Sequence, residues 1–287
     1  MQQLVIEPTE VQAFLDCPKK WAYSYKEGLR SNKLRPKLSF GTIMHRTVAS
    51  VLEQELSLSD AGDRYEDIFA EENSNYGDAT HNDLLEMEDM FLLGLKLLEH
   101  YVPWLNENLR KQYKLVAVEQ PFEIDFPDFT LAGRVDSLWK DKWGRIWVCD
   151  LKTAKSFPNV TTLSLDVQMM IYTWAIQQVF KLQVAGALMN VIRKQNPDTA
   201  RTPVIQLYEI PRTPGELKAL DETVVQLLNA VKETRENNIY LPRPGMKCAW
   251  GCDYQDLCIK DLHGHDTDYM KETQFHVREK PNYLEED

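Results

Sequence analysis

The chain has 287 residues, of which 43% are hydrophobic and 27% charged, and its formal net charge is −11. This composition is typical of a globular domain, and no run approaches the ~20 consecutive apolar residues that a membrane span requires. The acidic total excludes a uniformly basic nucleic-acid-binding surface. The start "MQQLVIEPTE" lacks a basic region followed by an apolar run, so we expect a cytoplasmic protein with no membrane partner.

Residues 1–40 predict a short helix followed by a basic segment. Thr9 and Gln12 have the spacing of a helix-capping box. The cations of the basic segment are Lys19, Lys20, Lys26, Arg30, Lys33, Arg35 and Lys37. Such a segment either binds phosphates or forms an ordinary solvated face.

Residues 41–112 are predicted to be mostly helical. Apolar residues recur at helical intervals in "GTIMHRTVASVLEQEL" and again in "DLLEMEDMFLLGLKLLEHYVPWL". The stretch 59–82 between them is polar and poorly periodic, so no helix is predicted there.

Residues 113–240 change to the two-residue period of strands. The predicted strands are Leu115–Phe126, Phe129–Trp139, Arg145–Thr153, Val184–Arg193 and Val204–Ile210. The predicted helices are Leu163–Phe180 and Thr213–Asn237. "KDKWG" reads as the turn of a hairpin between the second and third strands. The pattern predicts an α/β fold with a central mixed sheet, in a single domain that ends in a cysteine-rich segment at 241–287.

Three charged residues lie within this predicted hairpin. Asp150 and Lys152 are two positions apart, so both point to one face of their strand, and Asp136 on the neighbouring strand can lie beside them. Glu119 comes from the strand before. Carboxylates brought together in this way suit Mg²⁺ or Mn²⁺. The alternative is a surface ion pair on an exposed edge hairpin.

These residues belong to an ordered set of motifs between about 40 and 175. The set consists of His45 in "GTIMH", Asp136 in "GRVD", Asp150 and Lys152 in "DLKT", and Gln168 and Tyr172 in "QMMIY". Taken singly, the histidine fits an ordinary helix, and the glutamine and tyrosine fit a helix surface and core. Together they resemble the PD-(D/E)xK nucleases of the RecB-like branch, a family with a restriction-endonuclease-like core.

The resemblance implies a role for each residue. The implied metal ligands are His45, Asp136, Asp150 and the backbone carbonyl of Leu151. Lys152 would position and activate the attacking water. Gln168 and Tyr172 would bind the nucleic-acid strand or steady the site, and Glu119 would assist through a water or a second metal. The implied reaction is metal-dependent hydrolysis of phosphodiester bonds.

Four cysteines form a second set, consisting of Cys17, Cys248, Cys252 and Cys258. In a reducing compartment such a set more often binds a metal than forms disulfides, and the spacing alone leaves Zn²⁺ and an iron–sulfur cluster open. "FLDCPKKWAYSY" and "CAWGCDYQDLC" resemble a RecB-like branch that carries a 4Fe–4S cluster. That branch includes the AddB nuclease domain and the iron–sulfur exonuclease of CRISPR adaptation. The sequence departs from its pattern by one extra residue between Cys248 and Cys252.

The resemblance implies a DNA exonuclease that acts on single strands or DNA ends in recombination, repair or CRISPR adaptation, alone or with a protein partner from one of those processes. No Walker A motif accompanies the nuclease motifs. One alternative is a cluster-containing DNA-binding subunit of a larger helicase–nuclease complex, with little activity alone. A restriction endonuclease is a weaker alternative because no recognition element is evident. RNA also stays open as a substrate.

Overall fold

The computed structural model describes residues 4–32, 36–74 and 80–278. Its strands are β1 (Leu4–Ile6), β2 (Leu29–Ser31), β3 (Lys114–Asp125), β4 (Phe129–Lys140), β5 (Ile146–Ala154), β6 (Val184–Arg193), β7 (Ile205–Pro211) and β8 (Phe275–Val277). Its α-helices are α1 (Pro8–Asp16), α2 (Pro18–Trp21), α3 (Pro36–Glu53), α4 (Leu58–Asn73), α5 (His81–Trp104), α6 (Val167–Phe180), α7 (Pro214–Asn237), α8 (Met246–Gly251), α9 (Gln255–Leu262) and α10 (Asp268–Gln274). The predicted mixed α/β class is confirmed. None of the described helices combines the length and apolarity needed to cross a bilayer.

The chain divides into two compact units. The larger consists of the described residues within Leu34–Phe122 and Arg134–Leu217, and the smaller of those within Met1–Lys33, Glu123–Gly133 and Lys218–Asp287. The sequence-based division at 40, 112 and 240 is a different subdivision and stays a prediction.

The larger unit is built on the predicted hairpin. β4 and β5 pair antiparallel, with Ser137 opposite Cys149 and Leu138 opposite Val148. β5 pairs parallel with β6, which pairs antiparallel with β7, and β3 pairs with β4. Parallel neighbours need a crossover connection, which α6 supplies between β5 and β6. One core joins α3, α4 and α5 to this sheet and includes Trp139, Trp147 and Leu151.

The smaller unit has less regular structure. β1 pairs parallel with the start of β4, with Leu4 opposite Phe129, and β2 pairs antiparallel with β8. A small cluster of buried side chains consists of Tyr23, Leu29, Tyr254, Leu257 and Phe275. The buried Glu10 accepts a hydrogen bond from Trp21 Nε1 at 2.9 Å and pairs with Arg235, which compensates its charge.

The helix α4 was not predicted from the sequence. Only Ala61, Tyr65 and Ile68 bury an apolar face there, and the acidic residues around them hide this helical spacing. Tyr65 packs on Gly94 of α5, where an added Cβ would lie 2.0 Å from the tyrosine oxygen. Gly94 therefore allows α4 and α5 to approach closely.

Two helix starts differ from the prediction. α1 begins at Pro8 with Glu7 in the N-cap position and no side-chain cap, so Thr9 is not the cap. α6 begins at Val167 rather than Leu163, because Asp166 accepts a hydrogen bond from the Met169 amide at 2.9 Å. The residues Val160–Leu165 before it form a short 3₁₀-helix.

Candidate active site

Asp150 and Lys152 form the centre of the site on β5. Asp150 is 2% exposed, and Lys152 Nζ lies 2.8 Å from its Oδ2 atom. Burial raises the pKa of Asp150 to about 6, partly offset by the lysine charge. Burial works to lower the pKa of Lys152, but the charge and hydrogen bond of Asp150, together with the charges of Asp136 and Asp166, raise it overall. The alternative of a surface ion pair is therefore wrong, because Asp150 is buried and Lys152 only partly exposed, and such a pair needs compensation from its surroundings.

Asp136 lies on β4 next to Ser137, which pairs with Cys149 of β5. Its Oδ2 atom accepts a hydrogen bond from the backbone amide of Leu151 at 2.7 Å. The same oxygen lies 3.3 Å from Nδ1 of His45 on α3. Burial works to lower the pKa of His45, but hydrogen bonding to Asp136 and the nearby carboxylate charges raise it overall. The structure therefore brings three elements, α3, β4 and β5, to one carboxylate.

Gln168 and Tyr172 extend the site onto α6. Lys152 Nζ donates a hydrogen bond to Gln168 Oε1 at 2.7 Å, and Gln168 Nε2 donates to the Tyr172 hydroxyl at 3.0 Å. The two residues are one helical turn apart, so both face β5. This chain of contacts links the lysine to α6 as well as to Asp150, and the sequence spacing had predicted that Gln168 and Tyr172 share one helix face.

Glu119 is held in an unusual backbone conformation. It lies on β3 with φ of +46°, which is uncommon for a residue with a side chain. Glu119 lines a cavity of about 20 Å³ together with His45 and Asp136. Burial raises the pKa of Glu119 to about 7, and the charge of Asp136 adds to the effect. Glu119 thus lies at the site in a backbone conformation that is uncommon for glutamate.

Asn190 and Tyr101 also border this cavity, and the sequence analysis missed them. Asn190 Nδ2 donates a hydrogen bond to the Tyr101 hydroxyl at 2.7 Å. Its Oδ1 atom is buried without a hydrogen-bond partner among the described residues. The signal was an asparagine inside the otherwise apolar strand "VAGALMNVIR", pairing with Leu151 on β5.

The donor set fits a hard divalent cation. It offers the carboxylates of Asp136 and Asp150, the Leu151 carbonyl and an imidazole. Asp150 Oδ2 is buried, and its one close polar partner among the described residues is the ammonium group of Lys152 at 2.8 Å. As placed, however, no group of three or more His, Cys, Asp or Glu side chains in the described residues is arranged to hold a metal ion.

The four cysteines of the second set all lie in the smaller unit. Each is a free, partly buried thiol. The backbone amide of Arg243 lies 3.4 Å from Cys17 Sγ, and its carbonyl lies 3.8 Å from Cys248 Sγ. Burial raises the pKa of Cys252 and of Cys258, and the charges of neighbouring thiolates of the set add to it. The fold thus brings the two ends of the chain near one another at these thiols, although none of them forms a metal-binding group as placed.

The basic segment of the N-terminal region is largely used within the smaller unit. Lys19 pairs with Asp261, Lys26 bonds to Asn238 and Tyr240, and Arg30 donates to the carbonyls of Ser24 and Leu29. Lys33 and Arg35 and the side chain of Lys37 lie outside the described residues. Lys19, Lys26 and Arg30 are therefore engaged in contacts within the protein.

A mixed sheet with paired aspartates, a lysine and a flanking helix defines a nuclease-like α/β protein. The chain belongs to the PD-(D/E)XK nuclease superfamily, whose family model matches residues 6–259. This confirms the predicted nuclease, whereas the iron–sulfur branch stays a prediction. No curated protein sequence matches the chain significantly.

Two solved structures match most of the chain. A "Putative exonuclease" from Eubacterium rectale matches with a TM-score of 0.54 and 12% identity, covering 90% of this chain and 92% of that one. At this identity the likeness concerns the fold alone. The protein SSO0001 matches with a TM-score of 0.38 and 17% identity, covering 90% and 87%.

Proposed function

We propose that this protein is a metal-dependent DNA exonuclease that acts on single-stranded or resected DNA. The observation that carries the proposal is the continuous set of contacts from His45 through Asp136 to Leu151, and from Asp150 through Lys152 to Gln168. Family membership supports phosphodiester hydrolysis. The similar fold of a protein described as an exonuclease supports the exonuclease form.

Each side chain has a definite task in this proposal. Lys152, held between Asp150 and Gln168, presents an ammonium group that orients the attacking water and stabilises negative charge developing on the phosphate. Asp136, Asp150 and the Leu151 carbonyl, with His45, would hold Mg²⁺ or Mn²⁺. When bound, this cation supplies charge stabilisation at the scissile phosphate. Glu119 would accept a hydrogen bond from a bound water, since it lines the same cavity as Asp136.

We further propose that the cysteine set holds a 4Fe–4S cluster, with Zn²⁺ as the alternative. Four free thiols that share one region of the smaller unit are the donor set that either group requires. Since no disulfide joins the five cysteines, a reducing compartment such as the cytoplasm suits the chain. From the family resemblance we also propose a role in recombination, repair or CRISPR adaptation, and a protein partner from one of these processes.

A second candidate is a DNA-binding subunit without activity of its own. The intact contacts around Lys152 argue against it, because a buried charged group without a function is costly to keep. Digestion assays separate the two.

The test is digestion of end-labelled linear and of circular single-stranded DNA, with Mg²⁺ or Mn²⁺, by protein purified without oxygen. We expect the wild-type protein to degrade the linear strand only. Lys152→Met should lower the rate by about 10²- to 10³-fold with an unchanged DNA affinity. Because it leaves the buried Asp150 without its partner, its melting temperature should be lower, so both proteins are compared at a temperature at which both are folded. Lys218→Ala, which removes an exposed lysine of α7, is the matched control. Cutting of circles would contradict the exonuclease assignment, and digestion by Lys152→Met would contradict the assigned site.

A further inference from the structure

The tip of the β4–β5 hairpin carries an exposed tryptophan, whereas the two tryptophans on the flanking strands are buried. Trp139 and Trp147 on the two strands are 0% and 5% exposed, whereas Trp143 in the turn is 68% exposed. A large aromatic ring in water loses the benefit of burial that the other two obtain. Trp143 therefore contributes little to the stability of the fold and is available to a ligand.

The turn that carries Trp143 is rigid. The carboxylate of Asp141 accepts hydrogen bonds from the amides of Trp143 and Arg145 at 2.9 and 3.0 Å. It also accepts from Arg145 Nε at 2.9 Å and from Trp147 Nε1 at 3.1 Å. Gly144 turns the chain with φ of +81°, and a ring held in this way loses little conformational entropy on binding.

Cations surround the ring. Lys142 Nζ lies 4.4 Å and Arg145 Cζ 4.9 Å from its centroid. Both distances are within the range of cation–π contacts. A ligand that stacks on this ring would therefore place any attached negative charge beside the ammonium group of Lys142, since the charge of Arg145 is balanced by Asp141.

The turn also borders a basic cleft of about 490 Å³ in the larger unit. Its cationic lining residues are Arg110, Lys111, Lys114, Lys140 and Lys142. Of its two carboxylates, Asp141 is already engaged in the turn, which leaves Glu55. Within the part of the chain that the structure describes, no carboxylate forms an ion pair with any of the four lysines. The cleft is thus a locally positive surface on an acidic protein.

We propose that the hairpin tip and the basic cleft together form a second binding site for single-stranded DNA, apart from the catalytic residues. One base stacks on Trp143, and the adjoining phosphates lie against the lysines of the cleft. Exposed aromatic rings beside a positive groove are what sequence-independent binding of single strands requires. A protein partner would need an apolar surface around the ring, and the surroundings of Trp143 are cationic.

The site lies beyond the N-terminal end of β5, which begins at Ile146, and Asp150 lies four residues further along that strand. At ~3.3 Å per strand residue these four steps correspond to about 13 Å, to which the turn from Trp143 to Ile146 adds. A strand held at the tip can therefore reach the catalytic lysine only if it is several nucleotides long. The identification of this strand as the substrate rests on the proposed function, whereas binding at the tip does not depend on it.

Binding is measured by fluorescence anisotropy with a labelled oligonucleotide of about 20 thymidines, in the Lys152→Met background without added divalent cation. Trp143→Ala should raise the Kd by about tenfold, since stacking of one base has this order of effect. Trp143→Phe keeps an aromatic face and should stay within about threefold of the parent. Because the side chain is exposed, neither substitution should change the melting temperature.

The charge contribution is tested by Lys111→Ser combined with Lys114→Ser. Each phosphate contact that is lost should lower the slope of log Kd against log salt by about 0.7 for a single strand, so the double variant should lose about 1.4. A blunt duplex serves as the control ligand. Its paired bases are already stacked, so Trp143→Ala should change its affinity by less than about twofold.

Unchanged affinity of Trp143→Ala for the single strand would overturn the proposal and leave the exposed ring to a protein partner. An equal loss for the duplex would also overturn it, because the contact would then not involve unstacked bases. Failure of the proposed function looks different. In that case the wild-type protein does not digest DNA with Mg²⁺ or Mn²⁺, while the Trp143 variants still differ in binding.

Discussion

The catalytic residues of the larger unit and the four cysteines of the smaller unit are held in different ways. The catalytic side chains lie on long paired strands and an adjacent helix, and they contact one another directly, as Lys152 does with Asp150 and Gln168. The cysteines come from short helices and loops, and the described contacts of Cys17 and Cys248 are to the backbone of Arg243.

The difference also extends to the supporting core. The strands of the candidate site share a large apolar core with three helices, whereas Cys252 and Cys258 pack against a local cluster in which five buried residues are described. Thiolate sites of this kind gain folding free energy from the group that they bind. The candidate catalytic site is thus organised by the protein itself, whereas the cysteine region is expected to depend on the cluster or zinc that we propose for it.

The largest expected effect is the loss of this bound group in Cys252→Ala. If the cluster that we propose is present, the variant should lose its visible absorbance and its iron, and its melting temperature should fall by about 10 °C or more. Absorbance spectra, metal analysis and thermal unfolding measure these changes. Cys149→Ala is the matched control, because Cys149 is a buried cysteine of the large core and should leave the iron in place. If Cys252→Ala retained the iron and zinc contents of the wild-type protein, the two regions would not differ in their dependence on a bound group.

A smaller effect is expected from the residues that hold Lys152. Gln168→Ala removes the acceptor of the lysine ammonium and should lower the cleavage rate by about 10- to 100-fold, because misplaced catalytic groups lose rate steeply. The melting temperature should stay unchanged. Single-turnover rates on linear single-stranded DNA measure the effect.

Tyr172→Phe serves as the graded partner of this variant. It removes only the hydroxyl that accepts from Gln168 Nε2, so a loss of about threefold is expected. Equal losses in the two variants would contradict the order of contacts from Tyr172 through Gln168 to Lys152.

The smallest effect concerns the pH dependence of stability in the metal-free protein. The pKa of Glu119 is raised from its usual 4.5 to about 7, so between these values the folded state binds more protons than the unfolded state. The stability that Glu119 contributes is therefore fully present below about pH 4.5 and is lost as the pH rises through about 7.

Glu119→Gln removes this titration. Melting temperatures should therefore fall less between pH 5 and pH 8 in the variant than in the wild-type protein, by roughly a few degrees. Other titrating groups are common to both proteins and cancel in the comparison. Identical pH profiles would show that Glu119 is not buried beside Asp136 as described.

The catalytic motif residues were predictable because their spacing is a local property. Asp150 and Lys152 share a strand face through the two-residue repeat, and Gln168 and Tyr172 share a helix face through the four-residue repeat. A short turn made the β4–β5 hairpin, and with it the nearness of Asp136, predictable as well.

Other features depend on partners far along the chain. The helix α4 is stabilised by Gly94 of α5, which its own polar sequence does not reveal. Asn190 reaches the site cavity only because β6 pairs in register with β5. The basic N-terminal segment looked available for phosphates, but Lys19 and Lys26 bind residues more than 200 positions away in the chain.

The sequence by itself therefore determined the mixed α/β class, the order of the central strands' motifs and the choice of candidate catalytic residues, since side-chain periodicity follows from backbone geometry. The tertiary structure alone decided that Asp150 is buried and Trp143 exposed, that Asp136 meets the Leu151 amide, and which cations remain unpaired. Burial and charge pairing depend on which distant segments pack together, and no local pattern contains that information.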